Sequence, residues 1–585
     1  MTEIRVPDIG DFTDVPVIEV HVTAGDEVAV EDPLVTLESD KATMDVPSPA
    51  AGVVRQMRVA LGDRVSEGSV LLMLEESVDP APTDPAPAAP DRVDEQPASN
   101  LVVEQTPREQ AGADTPPDDQ AGAGRDFDVV VIGAGPGGYS AAFRAADLGL
   151  RTALIEREQT LGGVCLNVGC IPSKALLHAA RVIAEAADMS AHGVRFAPPA
   201  IDLPQLLEWK TEVVGKLTGG LTQLARQRKV ELIHGDARLS TPGSLTVGGR
   251  TVTFANCIIA VGSAPATLPV MPDDPRVVDS TGALSPSSIP KRLLVVGGGV
   301  IGMEMATVYD ALGSRLTVVE LLDQLIPGCD PDLVRPLHRR VADRYDAILL
   351  GTSVAGVKSQ RNGLKVEFSR GASKLFDQIL VAVGRRPNGH SVGAQDAGVS
   401  VDPSGFIAVD RQLRTNVSGI FAIGDVVGGP MLAHKASHEG KVAAEVIAGV
   451  PGAEFDPRAI PSVAYTDPEV AWMGLTETAA RSESIPYEKA TFPWTASGRA
   501  LTLARAEGAT KLLFDPDSRR LLGAGIVGVG AGELIAESVH AIEMGSNAQD
   551  IALTIHPHPT LSETVAFGAE LAEGTITDLL VGRRH

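Results

Sequence analysis

The chain has 585 residues, a formal net charge of −25, 44% hydrophobic and 4% aromatic residues. That length predicts about three to five domains, and so few aromatics predict aliphatic cores. The acidic excess argues against a nucleic-acid or anionic-membrane surface, no apolar run reaches the ~18–20 residues of a membrane span, and four cysteines are too few for a disulfide framework.

The N-terminus, MTEIRVPDIGDF, has neither a basic nor an apolar signal region, so a cytoplasmic location is expected. Residues 1–77 contain an internal repeat. VTAGDEV, from Val22, matches VALGDRV, from Val59, and Leu37-Glu38 matches Leu74-Glu75, an offset of about 37 residues. Two copies of short alternating strands with Gly-Asp turns predict a small all-β sandwich with pseudo-twofold symmetry. Lys41, in ESDKATMDVP, falls between the copies, where a hairpin tip would be exposed and able to act as an arm. The plain alternative is an ordinary hairpin lysine.

Residues 78–125 change character to Pro, Ala, Asp and Gln without periodicity. They read as a disordered linker, roughly 40 Å across as a flexible coil and at most ~150 Å extended.

From Asp126, strand–Gly-turn–helix patterns recur and predict parallel sheets covered by helices. The first turn is Gly133-x-Gly135-x-x-Gly138, after the apolar run Val129–Ile132. The first Gly allows the turn, the second admits a pyrophosphate, and the third lets helix pack on strand. The helix N-terminus supplies N–H groups and partial positive charge. Glu156 follows at the end of RTALIE, placed to hold a ribose hydroxyl. The second turn, Gly297-x-Gly299-x-x-Gly302, repeats this logic with Glu320. Leu, Leu and Asp follow Glu320, and a carboxylate there would repel a 2′-phosphate, so NAD is favoured over NADP.

CLNVGC places Cys165 and Cys170 close after the first turn. A half metal site or two buried thiols are the bland readings. A metal site needs about four ligands, and no second Cys pair or local His is present. A disulfide opening to a dithiol is the better reading. Electrons passing between thiols and a nicotinamide need a flavin between them. The first turn is therefore expected to hold FAD and the second NAD. His434 and His438 are four apart without a third ligand, so no metal is expected there. Cys257, in an apolar strand-like run, reads as core, and Cys329 as an incidental turn thiol.

Three further stretches carry a resemblance. GGVCLNVGCIPSK, FAIGDVVGGPMLAHKASHEG and IHPHPTLSE are similar to the redox, second FAD and dimer-interface motifs of the pyridine nucleotide–disulfide oxidoreductases. With the two Gly turns they span about residues 126–585. Within the family they are most similar to its dihydrolipoamide-oxidising branch. Residues 1–77 resemble a lipoyl domain, with Lys41 as the lipoylation site. A biotinyl domain flanks its lysine with Met, whereas Asp40 and Ala42 stand here.

The resemblance implies an α/β flavoprotein with two Rossmann-like domains, for FAD and NAD, plus an α+β dimerisation domain, preceded by the all-β lipoyl sandwich. The implied segments are a lipoyl domain at 1–77, the linker at 78–125, FAD binding at 126–271 and NAD binding at 272–395. A central FAD-contacting segment at 396–460 and the interface domain at 461–585 complete the chain. Cys165 would meet substrate and Cys170 would lie against the flavin. Lys174 would sit nearby, paired with Glu304. Asp425 would bind the FAD ribitol, and the helix beginning near Ala433 would aim its positive end at the ring. Ala237 would touch the adenine end of FAD. Val354 and Gly384, in the turn Ala382–Arg385, would contact NAD. His558, oriented by Glu563, would be the base, supplied across a homodimer. Val164 departs from the Thr common before the first Cys, and Pro557 from the usual surroundings of the base.

The implied activity oxidises protein-bound dihydrolipoyl groups with NAD⁺. The implied partners are the acyltransferase lipoyl domains of a 2-oxo acid dehydrogenase complex and a lipoate-attaching enzyme. Two alternatives stand beside it: a reductase for another disulfide in antioxidant defence, and an N-terminal module that only docks, its lysine bare. Mercuric reduction is disfavoured because no Cys follows Cys329, and glutathione reduction by Glu320 and its apolar neighbours.

Overall fold

The computed structural model describes residues 2–6, 14–28, 32–38, 43–66, 68–76 and 124–580. Lys41 and residues 78–123 of the expected linker lie outside them. The chain divides into two compact units, Met1–Asp114 and Thr115–His585.

The first unit has two four-stranded antiparallel sheets. One runs in the order Thr2–Arg5, Val70–Glu76, Gly52–Met57, Glu27–Val28, and the other Thr43–Pro47, Pro33–Glu38, Val15–Val20, Arg64–Val65. Alternating Val and Leu from both fill the interior, including Val17, Val35, Leu37, Leu71, Leu72 and Leu74. The repeat is visible at the turns. Asp26 accepts from the Thr23 N–H at 2.7 Å and Asp63 from the Ala60 N–H at 2.8 Å. Gly25 and Gly62 precede them at φ +107° and +90°, where a side chain would be strained. Strands Pro33–Glu38 and Thr43–Pro47 pair with Glu38 opposite Thr43, on either side of the Lys41 segment.

The second unit is built on three main sheets. In the first, parallel strands run Glu231–His234, Thr152–Glu156, Phe127–Ile132, Arg250–Ile259, with Ile420–Ala422 beside the last. Arg250–Ile259 also continues into an antiparallel meander with Ser244–Val247 and Ala237–Thr241. Val129, Val130 and Val131 are fully buried, as a strand covered on both faces demands. Cys257 is buried in the same sheet.

The second sheet is parallel, in the order Val277–Val278, Gln378–Val381, Arg292–Val296, Arg315–Val319, Ala347–Leu349. A three-stranded meander, Val354–Gln360, Gly363–Phe368 and Lys374–Phe376, accompanies it. The third sheet is antiparallel: Ser462–Ala464, Glu469–Gly474, Leu521–Gly528, Ala509–Phe514, Glu488–Pro493. Helices Ala531–Met544 and Glu563–Glu573 pack on it. Its core centres on Trp494, Phe492 and Phe514. The buried Trp494 indole donates to Thr510 at 3.0 Å, so its one polar atom is satisfied. Among the described residues no helix is long and apolar enough to cross a membrane.

Candidate active site

Cys165 lies in the short helix Gly163–Val168, and Cys170 opens the helix Cys170–Asp188. Gly163 presses on the first glycine loop: a Cβ there would stand 2.6 Å from the Gly135 Cα, at φ +56°. Asn167 ties the segment down by donating to the Leu161 and Gly163 carbonyls at 3.0 and 2.9 Å.

Both cysteines are free thiols, and their sulfurs hydrogen-bond to each other. The pair shares a proton unequally. The bond from Cys165 holds the Cys170 thiol down to about 7, aided by the Lys174 charge and opposed by burial. The same bond, with burial, pushes Cys165 up. Of the two, Cys170 is the more readily ionised.

Lys174 follows Cys170 by one helical turn and so shares its face. Its ammonium donates to both carboxylate oxygens of Glu304 at 2.9 Å. Glu304 is buried on helix Val300–Ala311, just after the second glycine turn. The pair thus joins the cysteine helix to the second nucleotide fold.

Each glycine loop has the same three fittings. A Cβ on Gly133 would meet the Ala260 carbonyl at 2.5 Å, and one on Gly138 the Gly133 carbonyl at 1.7 Å. Gly297 and Gly302 are confined likewise, at 2.3 Å from Ala382 O and 2.0 Å from Gly297 O. Gly135 and Gly299 instead face open space. They also cap helices Pro136–Asp147 and Val300–Ala311 without a side-chain hydrogen bond, which leaves first-turn N–H groups free. Both loops therefore fit a dinucleotide pyrophosphate. Glu156 and Glu320 sit alike, accepting from the Ala134 and Gly298 N–H groups at 2.8 and 2.6 Å.

Ala237 begins its strand two residues after Gly235, whose N–H donates to the Glu156 carbonyl at 2.9 Å. Val354 opens the meander of the second fold. Gly384 has φ +121°, and its carbonyl accepts from Ala266 at 3.0 Å. Arg385 turns toward the first fold, donating to the Ser263 hydroxyl at 2.7 Å. Ser263 in turn donates to Asp425.

Asp425 follows a clamped turn. Glu439 accepts from the Gly424 N–H at 2.7 Å and pairs with Lys435 at 2.7 Å, both side chains buried. Ala433 is the first residue of the helix that carries them. Ser263, Arg385, Lys435 and Glu439 were not singled out from the sequence as a group. The FAIGDV and HKASHEG stretches adjoin in sequence, but only folding brings AVGSAP beside them.

His434 is held by the Pro461 carbonyl at 2.9 Å, and burial keeps its pKa below the usual imidazole value. Among the described residues one acidic triplet, Asp330, Asp332 and Glu477, has metal-like spacing. The Lys511 ammonium fills it, at 2.7, 2.7 and 3.2 Å.

His558 presents a different picture. Its Nδ1 lies 2.8 Å from Glu563, which also accepts from the Thr560 N–H at 2.7 Å. That fixes the ring and leaves Nε2 outward, with the side chain 77% exposed. The neighbouring His556 is tied to Glu537 and the Thr554 carbonyl. Helix Glu563–Glu573 packs on the third sheet and helix Ala548–Leu553, while the cysteine helices pack on Leu203–Gln227 and Val300–Ala311. Leu553 and Ile555, close by in sequence, are 72% and 97% exposed, an apolar surface that suits burial against another protein.

Comparison with known proteins agrees with this arrangement. Residues 127–440 match the model of the pyridine nucleotide-disulphide oxidoreductases, and 460–567 that family's dimerisation domain. Residues 2–74 match the biotin-requiring enzyme (biotin/lipoyl) domain. The chain belongs to the pyridine nucleotide-disulphide oxidoreductase family. It is 54% identical over 460 residues to a dihydrolipoyl dehydrogenase of Vibrio cholerae, covering 77% of this chain and 96% of that one. A dihydrolipoyl dehydrogenase of Bacillus subtilis is 43% identical, with 77% and 97% covered. Among solved structures, the Cu(II) complex of RclA, an HOCl-induced flavoprotein disulfide reductase from Escherichia coli, superposes with a TM-score of 0.69 at 27% identity. That match covers 76% of this chain and 99% of the other.

Proposed function

We propose that this chain is a dihydrolipoyl-oxidising enzyme that uses FAD and NAD and carries its own lipoyl arm on Lys41. The observation that carries the reading is the sulfur pair. Two thiols that act on each other's ionisation sit on a segment packed against a glycine loop at Gly163, beside the half-buried Lys174–Glu304 pair.

In its oxidised form the pair is a disulfide. A dihydrolipoyl thiol gives its proton to Nε2 of His558 from the partner subunit. The thiolate attacks the Cys165 sulfur, and Cys170 leaves as a thiolate, favoured by the Lys174 charge. The second dihydrolipoyl thiol then attacks its own mixed disulfide and closes the lipoyl ring, freeing Cys165 as a thiol. Glu563 holds the imidazole ring in place. A bound flavin supplies the acceptor for the dithiol's electron pair, and a bound nicotinamide the onward carrier.

Gly133, Gly135, Gly138, Glu156, Ala237, Asp425 and Ala433 serve the flavin nucleotide. Gly297, Gly299, Gly302, Glu320, Val354 and Gly384 serve the nicotinamide nucleotide. Lys174 and Glu304 hold charge beside Cys170. The segments 1–77, 126–271, 272–395, 396–460 and 461–585 act as lipoyl, FAD, NAD, central and interface parts, with 78–125 the tether. The exposure of His558, and of Leu553 and Ile555 close by in sequence, supports a homodimer. The partners are acyltransferase lipoyl domains of a cytoplasmic 2-oxo acid dehydrogenase complex and a lipoate-attaching enzyme.

Steady-state NAD⁺ reduction tests the assignment. Dihydrolipoamide should support rapid turnover and glutathione little. A preference for glutathione would overturn it.

A further inference from the structure

Lys174 is long and a third of its side chain is exposed, yet its position relative to Cys170 decides how strongly it stabilises a thiolate. Two groups hold its head. One is Glu304, already described. The other comes from the third sheet. Tyr465, directly after strand Ser462–Ala464, places its ring 4.4 Å from the Lys174 nitrogen. Its backbone N–H donates to Glu304 Oε1 at 3.1 Å. One residue of the interface sheet thus touches both partners of the ion pair.

We propose that Tyr465 is a positioning residue for the thiol pair: its ring holds the Lys174 ammonium on the helix face it shares with Cys170, while its backbone holds Glu304. An ammonium over an aromatic face within ~6 Å is attracted by the ring quadrupole. Two of the three ammonium protons are engaged by the Glu304 oxygens. The ring satisfies the remaining side without offering a competing anion. Without it, the lysine head gains freedom to swing toward solvent and away from the sulfur. The inference rests on the reading of Cys165 and Cys170 as a redox pair.

The groups that act on Cys170 include Cys165 on the preceding helix, Lys174 on its own helix and Glu304 on Val300–Ala311, and Cys170 acts in turn on Tyr465. Lys174 lowers the thiol and Glu304 raises it. Displacing the lysine therefore moves the Cys170 titration upward.

The test isolates Cys170 in a Cys165→Ser holoenzyme; Cys257 and Cys329 are buried. Alkylation of Cys170 by iodoacetamide is followed against pH and located by peptide mass. Tyr465→Leu and Tyr465→Met remove the ring face, and Met keeps flexible bulk should Leu misfold. Both should alkylate about threefold to tenfold more slowly at pH 7 and recover at higher pH, the range expected for a partly buried cation–π contact. Tyr465→Phe should keep the parent profile. Unchanged profiles in Leu and Met, or an equal shift in Phe, would overturn the proposal. Alkylation needs no turnover, so a failure of dihydrolipoyl oxidation would leave this result readable.

Discussion

In the proposed reaction, His558 and Cys170 set the proton balance from opposite ends. The imidazole is fixed by Glu563 and open at Nε2, so His558→Gln should lower dihydrolipoamide turnover by about 10²–10⁴-fold. FAD content should not change, because the ring touches neither glycine loop; flavin absorbance and steady-state rate measure the two effects separately. Turnover within a few-fold of the parent would remove His558 from the mechanism. These residues were legible in the sequence because their chemistry is local. CLNVGC and HPHPTLSE each carry reactive side chains within a few positions. Tyr465 was not legible. Its meaning depends on a strand meeting two helices from distant parts of the chain, and one aromatic in SVAYTDP gives no sign of that.

The glycine loops make the clearest statement at the level of the element. The same three-glycine pattern was readable twice, and the geometry separates the roles. Gly135→Ala and Gly299→Ala meet open space, so both should fold. The first should lose FAD, and the second should keep FAD but bind NAD⁺ weakly. Gly138→Ala would collide with the Gly133 carbonyl and should lower thermal stability itself. Flavin content, NAD⁺ KM and melting temperature distinguish the three; normal FAD in Gly135→Ala would contradict the cradle. The Lys511 network is an element-scale feature the sequence hid, since Asp330, Glu477 and Lys511 belong to three separate elements. Lys511 joins the N-terminus of helix Pro331–Ala342 to the third sheet. Lys511→Met leaves three carboxylates facing one another and should cost about 3–5 kcal/mol, read as a large fall in melting temperature; an unchanged value would contradict it. Burial raises Asp330, but hydrogen bonds from Lys511 and the Glu477 and Thr478 backbone leave it net below 3.8. Burial lowers Lys511, but Asp330 and Asp332 leave it net above 10.5. Glu477, also in contact with Lys511, is net below 4.5. The network's contribution is therefore full between about 4.5 and 10.5. It fades as pH falls below 4.5 through the lowered Glu477 and Asp330 values, or rises above 10.5 through the raised Lys511 value.

In the proposed reaction the chemistry is divided between two copies of the chain, and the N-terminal unit supplies a carrier. If His558 acts across a dimer, hybrids of Cys165→Ser and His558→Gln chains contain one intact site each. Mixing the two inactive proteins under dissociating conditions and restoring the dimer should regain activity; no recovery would place base and thiols in one chain. The N-terminal unit was legible as a repeat, down to paired Gly-Asp turns, because its fold follows from local turns and alternation. Its purpose rests on one lysine, and that is where the central claim is most directly tested. The protein, purified from its native cells, is treated with NADH without oxygen, thiols are alkylated, and the peptide containing Lys41 is weighed. The account predicts a lipoyl group on Lys41 bearing two alkylated thiols, and an unreduced lipoyl group when Cys165 is replaced by Ser. A bare Lys41, or a lipoyl group that NADH leaves oxidised, would contradict it.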